Sequence, residues 1–400
     1  MTTANQNPLS YLHDQIAELD AKGLHFRLRV LEGEQRPVAH FDGKDVINLS
    51  SNNYLGLTTH KALRRAAIDA IRTHGVGAGA VRTIAGTMDL HMALEEQIAK
   101  FKGTEAAVVF QSGFTANAGT VAAILGKDDL ILSDELNHAS IIDGCRLSRA
   151  TIKVFKHKDV ADCERLCQET ENWPGHKLLI TDGVFSMDGD IAPLAELCGV
   201  AEKFNCIMMV DDAHSSGVLG RAGRGTIDHF DLHGRVHIQV GTLSKAIGVL
   251  GGYVCGSHDL IEFLYHRARP FLFSTSHPPA VAAACMAAFD VLEQEPEHIK
   301  QLWDNTKYFK HNLKALGFDT GMSETPITPV FVGDAKTAHQ FSAALFEEGV
   351  LATGIGYPTV PEGKARVRTI VTATHSREDL DRALEVFMIV GRRMGLLKAA

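Results

Sequence analysis

The chain has 400 residues, 45% hydrophobic and 22% charged, with a net charge of −8. This is ordinary for a globular protein with a large core, and long enough for two lobes. The acidic balance has no basic block and excludes a nucleic-acid surface, and no apolar run reaches membrane-spanning length.

The segment from Met1 to Asp14 is polar and lacks a basic-then-apolar leader pattern. The seven cysteines, at 145, 163, 167, 198, 206, 255 and 285, show neither paired nor metal-ligand spacing. They read as reduced thiols of a cytoplasmic protein, and no metal site is expected.

Leu9, Leu12, Ile16 and Leu19 give a helical period over residues 8–23, stopped by Gly23. Val46 to Leu49 reads as a strand leading into the polar turn Ser50-Ser51-Asn52-Asn53-Tyr54-Leu55-Gly56. A helix from Lys61 to His74 precedes Gly75-Val76-Gly77-Ala78-Gly79. A dinucleotide fingerprint needs a strand before its glycines, so a nicotinamide-binding reading fails here. After a helix from Thr87 to Phe101 and a strand from Ala106 to Phe110, Ser112-Gly113-Phe114 opens a helix of small residues. Its free N–H groups and dipole suit a phosphate, although a plain capped helix fits equally well.

Short apolar strands then alternate with helices: Leu130–Leu132, Thr151–Phe155, Leu178–Thr181, Cys206–Val210, Val236–Val240 and Gly252–Val254. Unalternating apolar strands imply burial on both faces, hence a mostly parallel sheet with helices on both sides. Ligands sit at the carboxyl ends of such strands. The polar motifs fall there: Asp134 to His138, Asp182 to Gly189, Asp211-Asp212-Ala213-His214, and Thr242 to Lys245. Phe271 to Ser276 reads as a turn, followed by helices over about 280–293 and 297–316. The division expected is an N-terminal arm over 1–50, a large cofactor-binding domain over 51–285 and a small C-terminal α/β domain over 286–400.

Lys245, among hydroxyl residues and glycines, can be reached by a flat ligand and can form a Schiff base with an aldehyde. Pyridoxal 5′-phosphate also needs a carboxylate at its pyridine nitrogen, for which Asp211 at a strand end is placed. His138 could stack on the ring, His214 and Ser186 could meet its phenolic oxygen, and Thr242 with Ser244 could touch the phosphate. Arg366 and Arg368 are two apart, so on a strand they share a face, and spacing does not choose which grips a carboxylate.

The combination of Asn52-Asn53-Tyr54-Leu55-Gly56, Asn137 to Gly144, Asp182 to Gly189, Asp211 to His214, Gly241 to Lys245 and Arg366-Val367-Arg368 resembles the α-oxoamine synthase family of fold-type I pyridoxal-phosphate enzymes over nearly the whole chain. The resemblance implies an acyltransferase that condenses an amino acid with an acyl-CoA. Lys245 is the implied Schiff-base lysine and Asp211 the pyridine partner. His138 stacks, Ser186 and His214 face the phenolic oxygen, and Gly113, Phe114 and Thr242 lie on the phosphate side. The resemblance also implies that Ser274 and Thr275 reach the site of the other subunit, in a homodimer with shared active sites, and that Asn52, Arg368 and Thr359 bind substrate. Within the family, the phrasing of Asn137 to Gly144 and Asp182 to Gly189 favours glycine C-acetyltransferase, using glycine and acetyl-CoA in threonine catabolism. The alternative is 8-amino-7-oxononanoate synthase, using L-alanine and a pimeloyl thioester in biotin synthesis with loss of CO2, and both activities together are compatible with the motifs.

Overall fold

The computed structural model describes residues 7–21 and 27–397. Its strands are β1 Val38–Phe41, β2 Lys44–Asn48, β3 Ala106–Phe110, β4 Leu130–Asp134, β5 Thr151–Phe155, β6 Lys177–Asp182, β7 Ile207–Asp211, β8 Ile238–Thr242, β9 Gly252–Gly256, β10 Ile327–Gly333, β11 Val350–Leu351, β12 Thr353–Ile355 and β13 Ala365–Ile370. The helices are α1 Tyr11–Ala21, α2 Lys61–His74, α3 Asp89–Lys102, α4 Gly113–Ile124, α5 Ala139–Ser148, α6 Val160–Glu169, α7 Leu194–Lys203, α8 Thr226–His229, α9 His258–Arg267, α10 Arg269–Leu272, α11 Pro279–Gln294, α12 Glu297–Leu316, α13 Ala335–Glu347 and α14 Arg377–Arg393.

The central sheet has seven strands in the order β3-β9-β8-β7-β6-β4-β5. The strands from β8 to β5 pair in parallel. Only β9 runs against its neighbours, β3 and β8. The link from Thr242 to Gly252 explains this, since a parallel return needs a crossover of a dozen or more residues. Successive side chains leave opposite faces, and both faces are buried. Thus Leu130, Leu132, Leu179, Met208 and Val210 pack in one apolar cluster under α6 and α7. Ile131, Leu178, Ile180, Met209 and Val240 pack in another under α4, α5 and α9. The exception is β5, an edge strand whose Thr151, Ile152 and Val154 are exposed.

A hairpin not expected from the sequence precedes the first turn. β1 and β2 pair antiparallel across Asp42-Gly43, both at positive φ (51° and 77°), the turn that an Asp-Gly pair favours between strands. β2 also pairs in parallel with β11, and β10, β13 and β12 form a third sheet, backed by α12, α13 and α14. Residues expected as a turn after Pro270 begin as the short helix α10, with that proline in its first turn. Every residue of α1 is exposed. Gly23, its expected stop, lies outside the described residues. All seven cysteines are free and buried. Among the described residues no helix is long and apolar enough to cross a membrane.

Behind the sheet edge that carries the polar motifs sits a buried ion pair, Lys102 Nζ to Asp212 Oδ2 at 2.8 Å, with both side chains fully excluded from water. Lys102 also donates to the carbonyl of Arg224 at 2.6 Å, and Asp212 accepts from the hydroxyls of Ser215 and Thr226. The set ties α3 to the segment after β7. Lys102→Met should destabilise the protein by about 3–5 kcal/mol, because the Asp212 charge stays buried without its counter-ion. The drop in the urea midpoint measures this, and pairing Lys102→Met with Asp212→Leu should recover part of it.

Candidate active site

Because the strands from β8 to β5 are parallel, their carboxyl ends share one edge. Asp134, Asp182, Asp211 and Thr242 close β4, β6, β7 and β8 there, and Asp182 lies directly across from Asp211. Asp211 is buried, 4% exposed, and accepts from Asn117 Nδ2 at 2.6 Å and from the Ala213 N–H at 2.8 Å. Asn117 is on α4, four residues after Gly113, and also donates to Ser140 Oγ. Ser140 in turn lies 2.7 Å from His138 Nδ1. Sequence reading missed Asn117 and Ser140. Asn117 stands in a helix of small residues, and only its spacing from Gly113 hints that it faces the strand ends.

His138 caps α5, with its backbone N–H donating to Asp182 Oδ2 at 2.7 Å. Burial and the neighbouring Asp211 push Asp182 well above the usual carboxylate range. His138 is open to solvent on one side, and desolvation of its ring by the site lowers its basicity against the opposing Asp211 charge, with the Lys245 charge adding to the lowering.

Lys245 sits in a tight loop closed by Gly248 N–H to Lys245 O and Val249 N–H to Leu243 O, both 2.9 Å. Gly248 holds φ at +78°, where a Cβ would come 2.9 Å from the backbone nitrogen of Thr58. Lys245 Nζ lies 2.8 Å from His214 Nε2, and His214 Nδ1 lies 2.7 Å from Tyr54 Oη. Burial lowers the Lys245 amine to about 8 despite the nearby Asp211, with the Arg368 charge adding to the effect. Burial likewise holds His214 well below the ordinary imidazole range, helped by Lys245 and Arg368.

The structure separates the two arginines that spacing left equal. Arg366 is consumed structurally: it is 2% exposed, bonds Asp188 Oδ1 at 2.5 Å and the Met187 carbonyl at 3.0 Å, and stacks on Phe331. Arg368 donates from Nε to the Ser186 carbonyl at 2.6 Å and from Nη2 to Asn52 Oδ1 at 3.2 Å. No carboxylate pairs with it among the described residues. Asn52, Ser186, Arg368, His214 and Lys245 thus form one cluster. Ser186 enters it through its carbonyl, and no bond of its hydroxyl is described.

At the start of α4, Ser112 caps the Thr115 N–H at 3.1 Å, and Gly113 lies against Thr242. A Cβ on Gly252 would fall 2.4 Å from the Ser112 carbonyl carbon, so only glycine lets β9 approach this helix start. Thr242 and Ser244 are joined at 2.8 Å beside it. Phe114 is exposed. Thr275 lends its carbonyl to Gln111 at 2.8 Å, so its segment flanks α4, while no side-chain bond of Ser274 or Thr275 reaches the cluster. Thr359 is exposed on the loop after β12, and no described contact ties it to the cluster.

These residues fit pyridoxal phosphate. Asp211 is a buried carboxylate with two neutral donors and no ion-pair partner among the described residues, which suits a protonated pyridine nitrogen. A capped helix start beside two hydroxyls suits a phosphate, and a lysine amine lowered to about 8 suits an aldehyde.

The family model for aminotransferase class I and II matches residues 44–387. The 8-amino-7-oxononanoate synthase of Symbiobacterium thermophilum is 60% identical over 387 residues, 97% of this chain and 99% of that protein. The 8-amino-7-oxononanoate synthase 1 of Bacillus subtilis is 56% identical over 370 residues, 92% of this chain and 94% of that one. Among solved structures, serine palmitoyltransferase from S. paucimobilis, with a bound PLP–myriocin aldimine, superposes with a TM-score of 0.92 at 32% identity, over 99% of this chain and 100% of that one. These relatives favour the 8-amino-7-oxononanoate synthase alternative. The expectation of glycine C-acetyltransferase and threonine catabolism finds no support among them.

The loops at this edge share one titratable clamp, His157, whose ring bonds Asp134 and Asp190 at 3.0 Å each and meets Phe185 edge-on at 4.3 Å. Burial opposes its charge, but the two carboxylates overcome that and raise it to about 9. An unfolded histidine titrates near about 6.5, so the stability this clamp adds is complete below that pH and lost as pH rises through about 9. His157→Gln should remove about 2–3 kcal/mol at pH 6 and little at pH 10, read from urea midpoints across that range.

Proposed function

The chain belongs to the aminotransferase class I and II family of pyridoxal-phosphate enzymes, in its α-oxoamine synthase group, and we propose that it is an 8-amino-7-oxononanoate synthase. It would join L-alanine to a pimeloyl thioester, releasing CoA and CO2. One observation carries the choice of substrates: relatives bearing that name are 54–60% identical over nearly the full chain. The cluster of Lys245, His214, Asp211 and Arg368 is intact and supports turnover rather than a silent binding protein.

Bound pyridoxal phosphate supplies an electron sink for the pair left on Cα when the amino acid loses a group there. The chain's own residues would do the rest. Asp211 would hold the pyridine nitrogen protonated, and His138 would stack on the ring. His214 and Ser186 would face its phenolic oxygen. The N–H groups at Gly113 and Phe114, with Thr242 and Ser244, would hold the phosphate. Lys245 would bind the cofactor and take the Cα proton of alanine, for which a neutral amine near pH 8 is suited. Arg368 would grip the alanine carboxylate in a two-pronged way, steadied by Asn52, with Thr359 toward the acyl chain. Ser274 and Thr275 would serve the second site of a homodimer. The exposed apolar side chains Ile84 and Phe273 near that segment support such an interface.

Thiol release by the purified protein, loaded with pyridoxal phosphate, should be faster with alanine and pimeloyl-CoA than with glycine and acetyl-CoA, with one CO2 per CoA. A faster glycine and acetyl-CoA reaction without CO2 would overturn the assignment. Arg368→Lys should raise the alanine KM about tenfold or more, because a point charge cannot make the paired bonds. An Arg368→Lys enzyme with unchanged alanine KM would remove the arginine from this role.

A further inference from the structure

Tyr54 lies in the turn that follows β2, the same turn that carries Asn52 to Arg368. Its backbone is pinned there, with the Tyr54 N–H on the Asn52 carbonyl at 2.8 Å and the Ala373 N–H on the Tyr54 carbonyl at 2.7 Å. The ring is 1% exposed and meets the His214 ring edge-on. Its hydroxyl has one described partner, His214 Nδ1 at 2.7 Å. The other ring nitrogen, Nε2, is 2.8 Å from Lys245 Nζ.

Two proton arrangements suit those distances. In the first, Tyr54 Oη–H donates to Nδ1, Nε2 carries the imidazole proton, and Nε2–H donates to the lone pair of a neutral Lys245 amine. The phenol O–H, both ring nitrogens and the amine lone pair are then matched. In the second, Nδ1–H donates to the tyrosine oxygen and a Lys245 ammonium donates to Nε2. The Tyr54 O–H then has no acceptor among the described residues, which is costly for a buried hydroxyl. Burial also keeps the Tyr54 phenol protonated, so it can act as a donor at any working pH. An amine lowered to about 8 brings the first arrangement within reach near that pH.

We propose that Tyr54 is a positioning residue: by donating to Nδ1 it fixes His214 as the Nε2–H tautomer and so favours the neutral amine of Lys245. The charged and titratable groups facing the pair are Tyr54, Arg368 and His138 around His214, and Asp211, Asp182 and Arg368 around Lys245. Apart from Lys245 itself, none of the others bonds His214 among the described residues, which leaves Tyr54 as the group outside the pair that bears on its tautomer. The inference rests on the reading of Lys245 and His214 as cofactor-site residues, but its test needs neither substrate nor cofactor.

Competitive labelling of the full-length apoprotein with acetic anhydride, read by mass spectrometry of the Lys245 peptide across pH, gives the pKa of that amine. In Tyr54→Phe it should rise by about one pH unit, because His214 becomes free to accept from an ammonium. Tyr253→Phe, which removes another buried tyrosine hydroxyl bonded to Ser216, should leave it unmoved. In a His214→Asn background, Tyr54→Phe should add nothing. An unchanged or lowered Lys245 pKa in Tyr54→Phe, or the same rise in both backgrounds, would overturn the proposal. Should the phenylalanine variant fold poorly, the wild-type apoprotein with 15N-labelled histidine decides instead. The His214 signals, identified by their loss in His214→Asn, should show a protonated Nε2 and a bare Nδ1, and the reverse would overturn it. Failure on either test leaves the condensation assay untouched, and failure of that assay leaves the tautomer standing.

Discussion

The Asp211 carboxylate, held out of water at the end of β7, is the constraint on which the site depends. A buried charge must be hydrogen-bonded, and the two donors it receives come from different elements. Asn117 places α4 against the strand end, and the Ala213 N–H fixes the turn that leads to His214. From Asn117 the chain of bonds passes to Ser140 and His138, so the carboxylate, the helix start and His138 are set relative to one another by one short network. Behind it, the Lys102–Asp212 pair anchors the next residue of the same turn. Such a network defines a unique geometry more than it adds net stability, because both charges had to be desolvated to enter it.

The same crowding sets the chemistry. Lys245 is near Asp211 and Asp182, which favour its charge, and near Arg368, which opposes it, and burial outweighs the two carboxylates to lower its basicity. A buried carboxylate beside a lysine whose amine burial lowers to about 8 is the pairing a proton transfer at carbon requires. Tyr54 and His214 extend that pairing by one more bond.

Much of this was legible in the sequence, for a physical reason. A parallel sheet covered on both faces announces itself by unalternating apolar strands, and its carboxyl ends are where polar residues break the pattern. Lys245, Asp211, His138 and His214 all stand at such breaks. Asn117 and Ser140 did not stand out, since a small polar residue in a helix reads like any other until the facing strand is known. Tyr54 lies in a stretch that reads as a polar turn, and nothing local shows that its hydroxyl meets a histidine 160 residues away. Arg366 and Arg368 share a strand face, and the partner that occupies Arg366, Asp188, is 178 residues away in the chain. The choice between acetyl and pimeloyl donors was also beyond the motifs, because a few methylenes in an apolar pocket leave no polar signature.

The account stands or falls on Lys245 as the point where the cofactor is held. Borohydride reduction of the protein loaded with pyridoxal phosphate fixes the linkage, and peptide mass mapping locates it. One pyridoxyl group per chain on the peptide containing Lys245, absent in Lys245→Ala, is the result predicted. Stoichiometric modification of a different lysine, with Lys245 unmodified, would contradict it.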